Sequence, residues 1–193
     1  MQPTAVIQGV SLPIRKLSPE EFEALLRAGI FGDEERIELL DGVLIPMSPI
    51  GAAHNALVIR LTMLLTEAAR GQALVSAQGA LALGEHRPQP DLALLPLDQN
   101  SLRRLPSRAL LVIEVADTSL ERDRAKAGLY AKASIPELWI VDVARKTVEV
   151  HTEPDVRAAR YQTVHYRGEG TVLTTSALPA LSVSVSGLFA EHH

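Results

Sequence analysis

Three short runs in this chain are apolar on both alternating sides, and that constrains the fold more than anything else in it. PDLALLPL (residues 90–97), ALLVIEVA (109–116) and ELWIVDV (137–143) each lack the inside–outside alternation of a strand with one wet face. Strands of this kind lie in the middle of a sheet that is covered on both sides. Between the second and third runs, Thr118-Ser119-Leu120-Glu121 reads as a capping box, opening a helix to about Ala133, with Ser134-Ile135-Pro136 as its stop. A strand, a helix and a strand in that order predict a parallel crossover. The first two runs are joined by the polar, basic stretch DQNSLRRLPSR and are expected to be antiparallel neighbours. The fold class that follows is α/β (mixed α+β), a central mixed sheet flanked by helices.

The remaining elements fit around that sheet. Ser18-Pro19-Glu20-Glu21 has the cap, first-turn proline and closing glutamate of a helix start, and Gly29 marks its end. ERIELLDGVLIPMS then reads as a hairpin turning at Asp41-Gly42. Leu57, Leu61, Leu64, Leu65 and Ala68 recur at helical spacing over about 52–70, closed by Gly71. Short strands are expected around 73–78 and 80–83, and a meander of strands over 146–185. With 193 residues and no Pro/Gly/Ser-rich linker, the chain is expected to form a single domain: a loose segment at 1–17 and a folded core over 18–190.

Composition sets limits on function. The chain has no cysteine, which excludes disulfides and thiolate metal sites. No run is long and apolar enough to span a bilayer, and the N-terminus lacks signal-peptide features, so no membrane partner and a cytoplasmic location are expected. The net charge of −4 means that any contact with nucleic acid needs a local basic surface on an acidic protein. The terminal histidines, His192 and His193, are given no role.

The chemistry lies in two misplaced acids. Asp91 opens one buried strand, and Glu114 stands between Ile113 and Val115 near the end of the next. Antiparallel pairing of those strands brings both to one edge of the sheet. Buried carboxylates repel each other and are costly to desolvate, so the pair calls for a cation. Mg²⁺ suits carboxylate and water oxygens (Mn²⁺ could substitute), and it polarises phosphoryl oxygens and acidifies bound water. Lys126 lies on the following helix, roughly 12 Å along its axis, with its side chain leaning back toward the N-terminal end where Glu114 is expected. Its ammonium is suited to positioning a water and balancing charge on phosphorus. Taken singly, each residue has an ordinary structural reading, Lys126 for instance as a partner of Asp123; the set in one strand–strand–helix frame is far less ordinary.

The segments IELLDGVLIPMSP, QPDLALL and LLVIEVADTSLERDRAKAGLYAKASIPELWIVD resemble the restriction-endonuclease family called the Uma-two type, within the PD-(D/E)XK nuclease superfamily. The resemblance runs from the first helix to the C-terminal strands and implies a restriction-endonuclease-like core with an N-terminal helix–hairpin and a C-terminal meander. It makes Pro90-Asp91 the "PD", Glu114 the second metal-binding acid, and Glu38 a further acid of the site. Ala116 stands where the superfamily motif places its lysine; the resemblance puts that lysine on the next helix, as Lys126 in a K-x-x-x-Y spacing with Tyr130. It also points to His54 and, more weakly, Gln78, whose ordinary readings are a surface or capping histidine and a structural glutamine. Trp139 reads as core.

Arg103, Arg104 and Arg108 look like a nucleic-acid patch, but the antiparallel arrangement sends them to the far end of the sheet. Arg87, Arg122 and Arg124 are the basic residues expected near the acids, as substrate contacts. The leading expectation is a Mg²⁺-dependent endonuclease acting on DNA, possible as a homodimer with the C-terminal strands as a pairing edge. The alternatives are an inactive nuclease-fold module that binds nucleic acid or a protein partner, and hydrolysis of another phosphate ester.

Overall fold

The structure, a computed structural model, describes residues 4–32, 35–97 and 104–190. These group into two compact units. The first comprises residues up to Met47 together with Ala82–Pro88; the second comprises Ser48–Leu81 and the chain from Gln89 onward.

In the first unit, strands β1 (Thr4–Ile7) and β2 (Val10–Pro13) form an antiparallel hairpin where the sequence suggested only a loose segment. Its turn, Gln8-Gly9, has positive φ at both residues, the geometry usually signalled by Asn-Gly or Asp-Gly. Glutamine hides that signal. Helix α1 (Pro19–Arg27) forms with its capping box as expected: Glu21 donates its N–H to Ser18 Oγ and its carboxylate accepts from the Ser18 N–H. Strands β3 (Ile37–Leu40) and β4 (Val43–Pro46) pair across Asp41-Gly42, where φ of 52° and 75° give the predicted hairpin turn.

The second unit is built on a six-stranded sheet of β5 (Ala73–Ala77), β6 (Leu92–Pro96), β7 (Leu111–Ala116), β8 (Glu137–Asp142), β9 (Thr147–Asp155) and β10 (Arg160–Arg167). Its spatial order is the chain order, and every neighbouring pair is antiparallel except β7 and β8. The three doubly apolar runs are thus three of the four interior strands, with β7 and β8 buried at every position. Residues 80–83, expected as a strand, lie outside the named strands; Leu83 makes only an isolated bridge to His86. Leu81 and Leu83 are nonetheless both buried, so their alternation reports burial without a ladder.

Alternation in the strands separates two faces. Leu111, Ile113 and Val115 of β7 share a core with Leu92 and Leu94 of β6, Trp139 and Val141 of β8, and Leu57, Leu61 and Leu65 of helix α2 (Ala52–Ala68). Burying each of those leucines is worth about 1.5–3 kcal/mol. The hairpin of β11 (Val172–Thr175) and β12 (Leu178–Ser184), with the short α4 (Val185–Leu188), packs into the same core. Helix α3 (Leu120–Lys132) packs against β7, β8, β9 and β10. No helix is long and apolar enough to cross a membrane among the described residues.

Candidate active site

Asp91 ends the extended approach to β6, and the β6–β7 register of Leu92 opposite Ile113 sets it beside Glu114 and Val115. The expected convergence at one end of the sheet is therefore present. Asp91 Oδ2 accepts the Val115 N–H at 2.8 Å, and Asp91 Oδ1 lies 3.0 Å from His54 Nε2 in the first turn of α2. The segment before it is tied down as well. Gln78, at the end of β5 with φ of 53°, donates its N–H to the Asp91 carbonyl and accepts from the Gln89 amide through its own carbonyl. Gln78 thus supports Asp91 through its backbone.

Glu114 points to the α3 side and is 2% exposed. Its Oε1 accepts from Tyr130 Oη at 2.6 Å and from Lys126 Nζ at 3.2 Å. Lys126, 3% exposed, also lies 3.8 Å from Asp123 Oδ1, the partner foreseen for it. Tyr130 was visible in the sequence only as a spacing; its hydroxyl is a direct partner of the acid. Burial raises the Asp123 carboxyl above its ordinary range and the nearby Asp91 adds to this, while Ser119, Lys126 and Arg122 pull the other way. The expected second capping box does not form. Ser119 caps α3 with no side-chain hydrogen bond to the helix backbone; its hydroxyl instead donates to Asp123 Oδ2 at 2.5 Å. The helix begins one residue later than the box requires, so Arg122 and not Glu121 stands at its third position.

Each basic residue expected as a substrate contact has protein neighbours of its own. Arg124 donates to Glu149 Oε1 from Nε at 3.0 Å and Nη2 at 2.5 Å, and to Glu121, so its guanidinium is already engaged by two carboxylates. Arg122 is half-buried on α3 and acts on Asp123 through its charge. Arg87 belongs to the first unit, where it donates to Glu23 at 2.9 Å and to the Gly84 carbonyl. Glu38, fully buried on β3, belongs to that unit too. Arg104 and Arg108 are exposed in the β6–β7 connection, at the opposite end of those strands from Asp91 and Glu114, as predicted; Arg103 lies outside the described residues.

Among the described residues no group of three or more His, Asp or Glu side chains is set to hold a metal ion. The donor chemistry fits a more open arrangement. Mg²⁺ is commonly held by one or two carboxylates, with water and substrate oxygens completing its shell. Asp91 and Glu114 are two hard-oxygen donors at one sheet edge, each fixed by protein donors.

A family model described as Uma2, "Putative restriction endonuclease", matches residues 19–186. A solved structure described as "a putative nuclease belonging to DUF820" from Anabaena variabilis ATCC 29413 has a TM-score of 0.73 at 17% identity, covering 90% of this chain and 97% of that one. At that identity the likeness carries the fold: a nuclease-like mixed α/β core with a central mixed sheet and flanking helices. No curated protein matches the chain.

Proposed function

The chain belongs to the Uma2 family, and from that premise we propose that it is a cytoplasmic Mg²⁺-dependent endonuclease hydrolysing DNA phosphodiester bonds. The observation that supports the reading is Lys126 Nζ at 3.2 Å from Glu114 Oε1, with Asp91 beside Glu114 in the β6–β7 register. Asp91 and Glu114 are the residues that would hold Mg²⁺ (or Mn²⁺), which when bound polarises the phosphoryl oxygen. His54 and the Val115 N–H hold the two oxygens of Asp91 in place, and Tyr130 orients Glu114. Lys126 positions the attacking water and balances the charge that grows on phosphorus.

The test is conversion of supercoiled plasmid to nicked and linear forms with Mg²⁺ or Mn²⁺. Wild type is expected to cleave, and Asp91→Asn, Glu114→Gln and Lys126→Met each to lose at least about a hundredfold, the scale at which single electrostatic groups act. Equal cleavage by all four proteins would overturn the assignment. A second reading has its own support: both carboxylates are already satisfied within the protein, as suits an inactive nuclease-fold module that binds nucleic acid or a protein partner. Duplex binding by wild type without cleavage, unchanged in Asp91→Asn, would favour that module. Sedimentation with and without duplex DNA tests the homodimer.

A further inference from the structure

Glu149 is a second buried carboxylate on the α3 side of the sheet, 3% exposed and outside the mechanism above. Glu114 of β7 is in register with Ile140 of β8, and Ile140 with Glu149 of β9. The two glutamates therefore share one row across the sheet, about 10 Å apart at two strand spacings. Each receives a basic side chain from the same helix: Lys126 reaches Glu114 and Arg124 reaches Glu149. Positions two apart on a helix differ by about 200° around its axis. Arg124 and Lys126 accordingly leave α3 on opposite flanks, with the buried Asp123 and Tyr130 between them. The outer oxygen, Glu149 Oε2, lies 3.2 Å from His151 Nε2, and His151 stacks edge-on against Tyr161 at 5.7 Å. Glu149 is thus anchored from the sheet side as well.

A helix held at one flank only can roll about its axis. We propose that Glu149 is a positioning residue for Lys126: by holding Arg124 it fixes the roll of α3 at which Lys126 meets Glu114. The Arg124 guanidinium then serves as a strut within the protein, where the sequence suggested a substrate contact. The consequence for catalysis rests on the nuclease reading above; the consequence for Lys126 itself does not.

The experiment reads both. The ¹⁵Nζ resonance of Lys126 is recorded in the full-length wild type, in Glu149→Gln and in Arg124→Met, assigned by its loss in Lys126→Met. Plasmid cleavage is measured on the same samples. Arg124→Lys restores a cation opposite Glu149 and serves as the rescue; Lys16→Ala, which removes an exposed ion pair to Asp41 within the first unit, is the control. The Lys126 signal is expected to shift or broaden in Glu149→Gln and Arg124→Met, to return toward wild type in Arg124→Lys, and to stay unchanged in Lys16→Ala. Cleavage is expected to fall about tenfold to a hundredfold in the first two, as misplacement of a catalytic group by about 1 Å commonly does. An unmoved Lys126 signal in a folded Glu149→Gln or Arg124→Met protein overturns the proposal whatever the activity. If Glu149→Gln does not fold, the same comparison between Arg124→Met and Arg124→Lys decides it. A shifted signal in a chain whose wild type never cleaves DNA supports the positioning role and defeats the nuclease reading alone.

Discussion

At Asp91 each carboxylate oxygen has its own donor, a backbone N–H on Oδ2 and the His54 ring on Oδ1. The other ring nitrogen, His54 Nδ1, is buried with no hydrogen-bond partner among the described residues. The imidazole is therefore committed to the acid on one side only. Partners that orient a metal-binding carboxylate commonly contribute about ten- to a hundredfold to activity. His54→Ala is expected to lower plasmid cleavage on that scale while the protein stays folded by circular dichroism; undiminished cleavage would reduce His54 to a packing residue. Asp91 and Glu114 stand out in the sequence as candidates because an acid inside an apolar strand is rare and has to be explained, while Lys126 is reached only through its place on the following helix. Glu149 and His151 could not. They alternate with Val148 and Val150, the ordinary pattern of a strand with one wet face, and only the placement of α3 over that face buries them.

Among the elements, the central strands and both long helices form where the sequence puts them, and the departures have separate causes. Ser18 caps α1 with Glu21 at the third helical position, whereas the cap of α3 is Ser119, whose hydroxyl donates to Asp123 and which leaves Arg122 at that position. A competition exists at Gly128, in the middle of α3. A Cβ there would sit 2.9 Å from the Ala159 carbonyl oxygen in the turn between β9 and β10. Alanine favours a helix interior over glycine by about 1 kcal/mol, while crowding a packed contact costs about 1–3 kcal/mol. Crowding against backbone is expected to win, so Gly128→Ala should lose about 1 kcal/mol of stability, read as a lower urea midpoint. A raised midpoint would show that the turn yields freely and that α3 is held by its side chains alone.

For the molecule as a whole, buried titratable groups couple stability to pH. Glu137, 5% exposed, accepts from Trp139 Nε1 at 2.6 Å and Thr175 Oγ1 at 2.7 Å, tying β8 to the β11–β12 hairpin. Burial raises its carboxyl above the ordinary 4.5. The folded chain therefore favours the protonated acid; that stabilisation is full below pH 4.5 and is lost as pH rises through the raised value. Glu137→Gln keeps an oxygen to accept from Trp139, turns an amide N–H toward Thr175 Oγ1, and has no proton to lose. Its Tm should move upward relative to wild type as pH increases above 4.5, and a constant difference across pH would refute the coupling. The family match over residues 19–186 and the shared core give the fold a frame, within which the sheet keeps a simple order. Because β5 to β10 lie side by side in the order they are made, each strand leaving a ribosome finds its partner already waiting. Synthesis proceeds at about 5–20 residues per second, so the pairing can keep pace with translation. Only β8 must wait for α3 to cross over first. The helix that carries Lys126 is thus needed to complete the sheet before it can serve any chemistry.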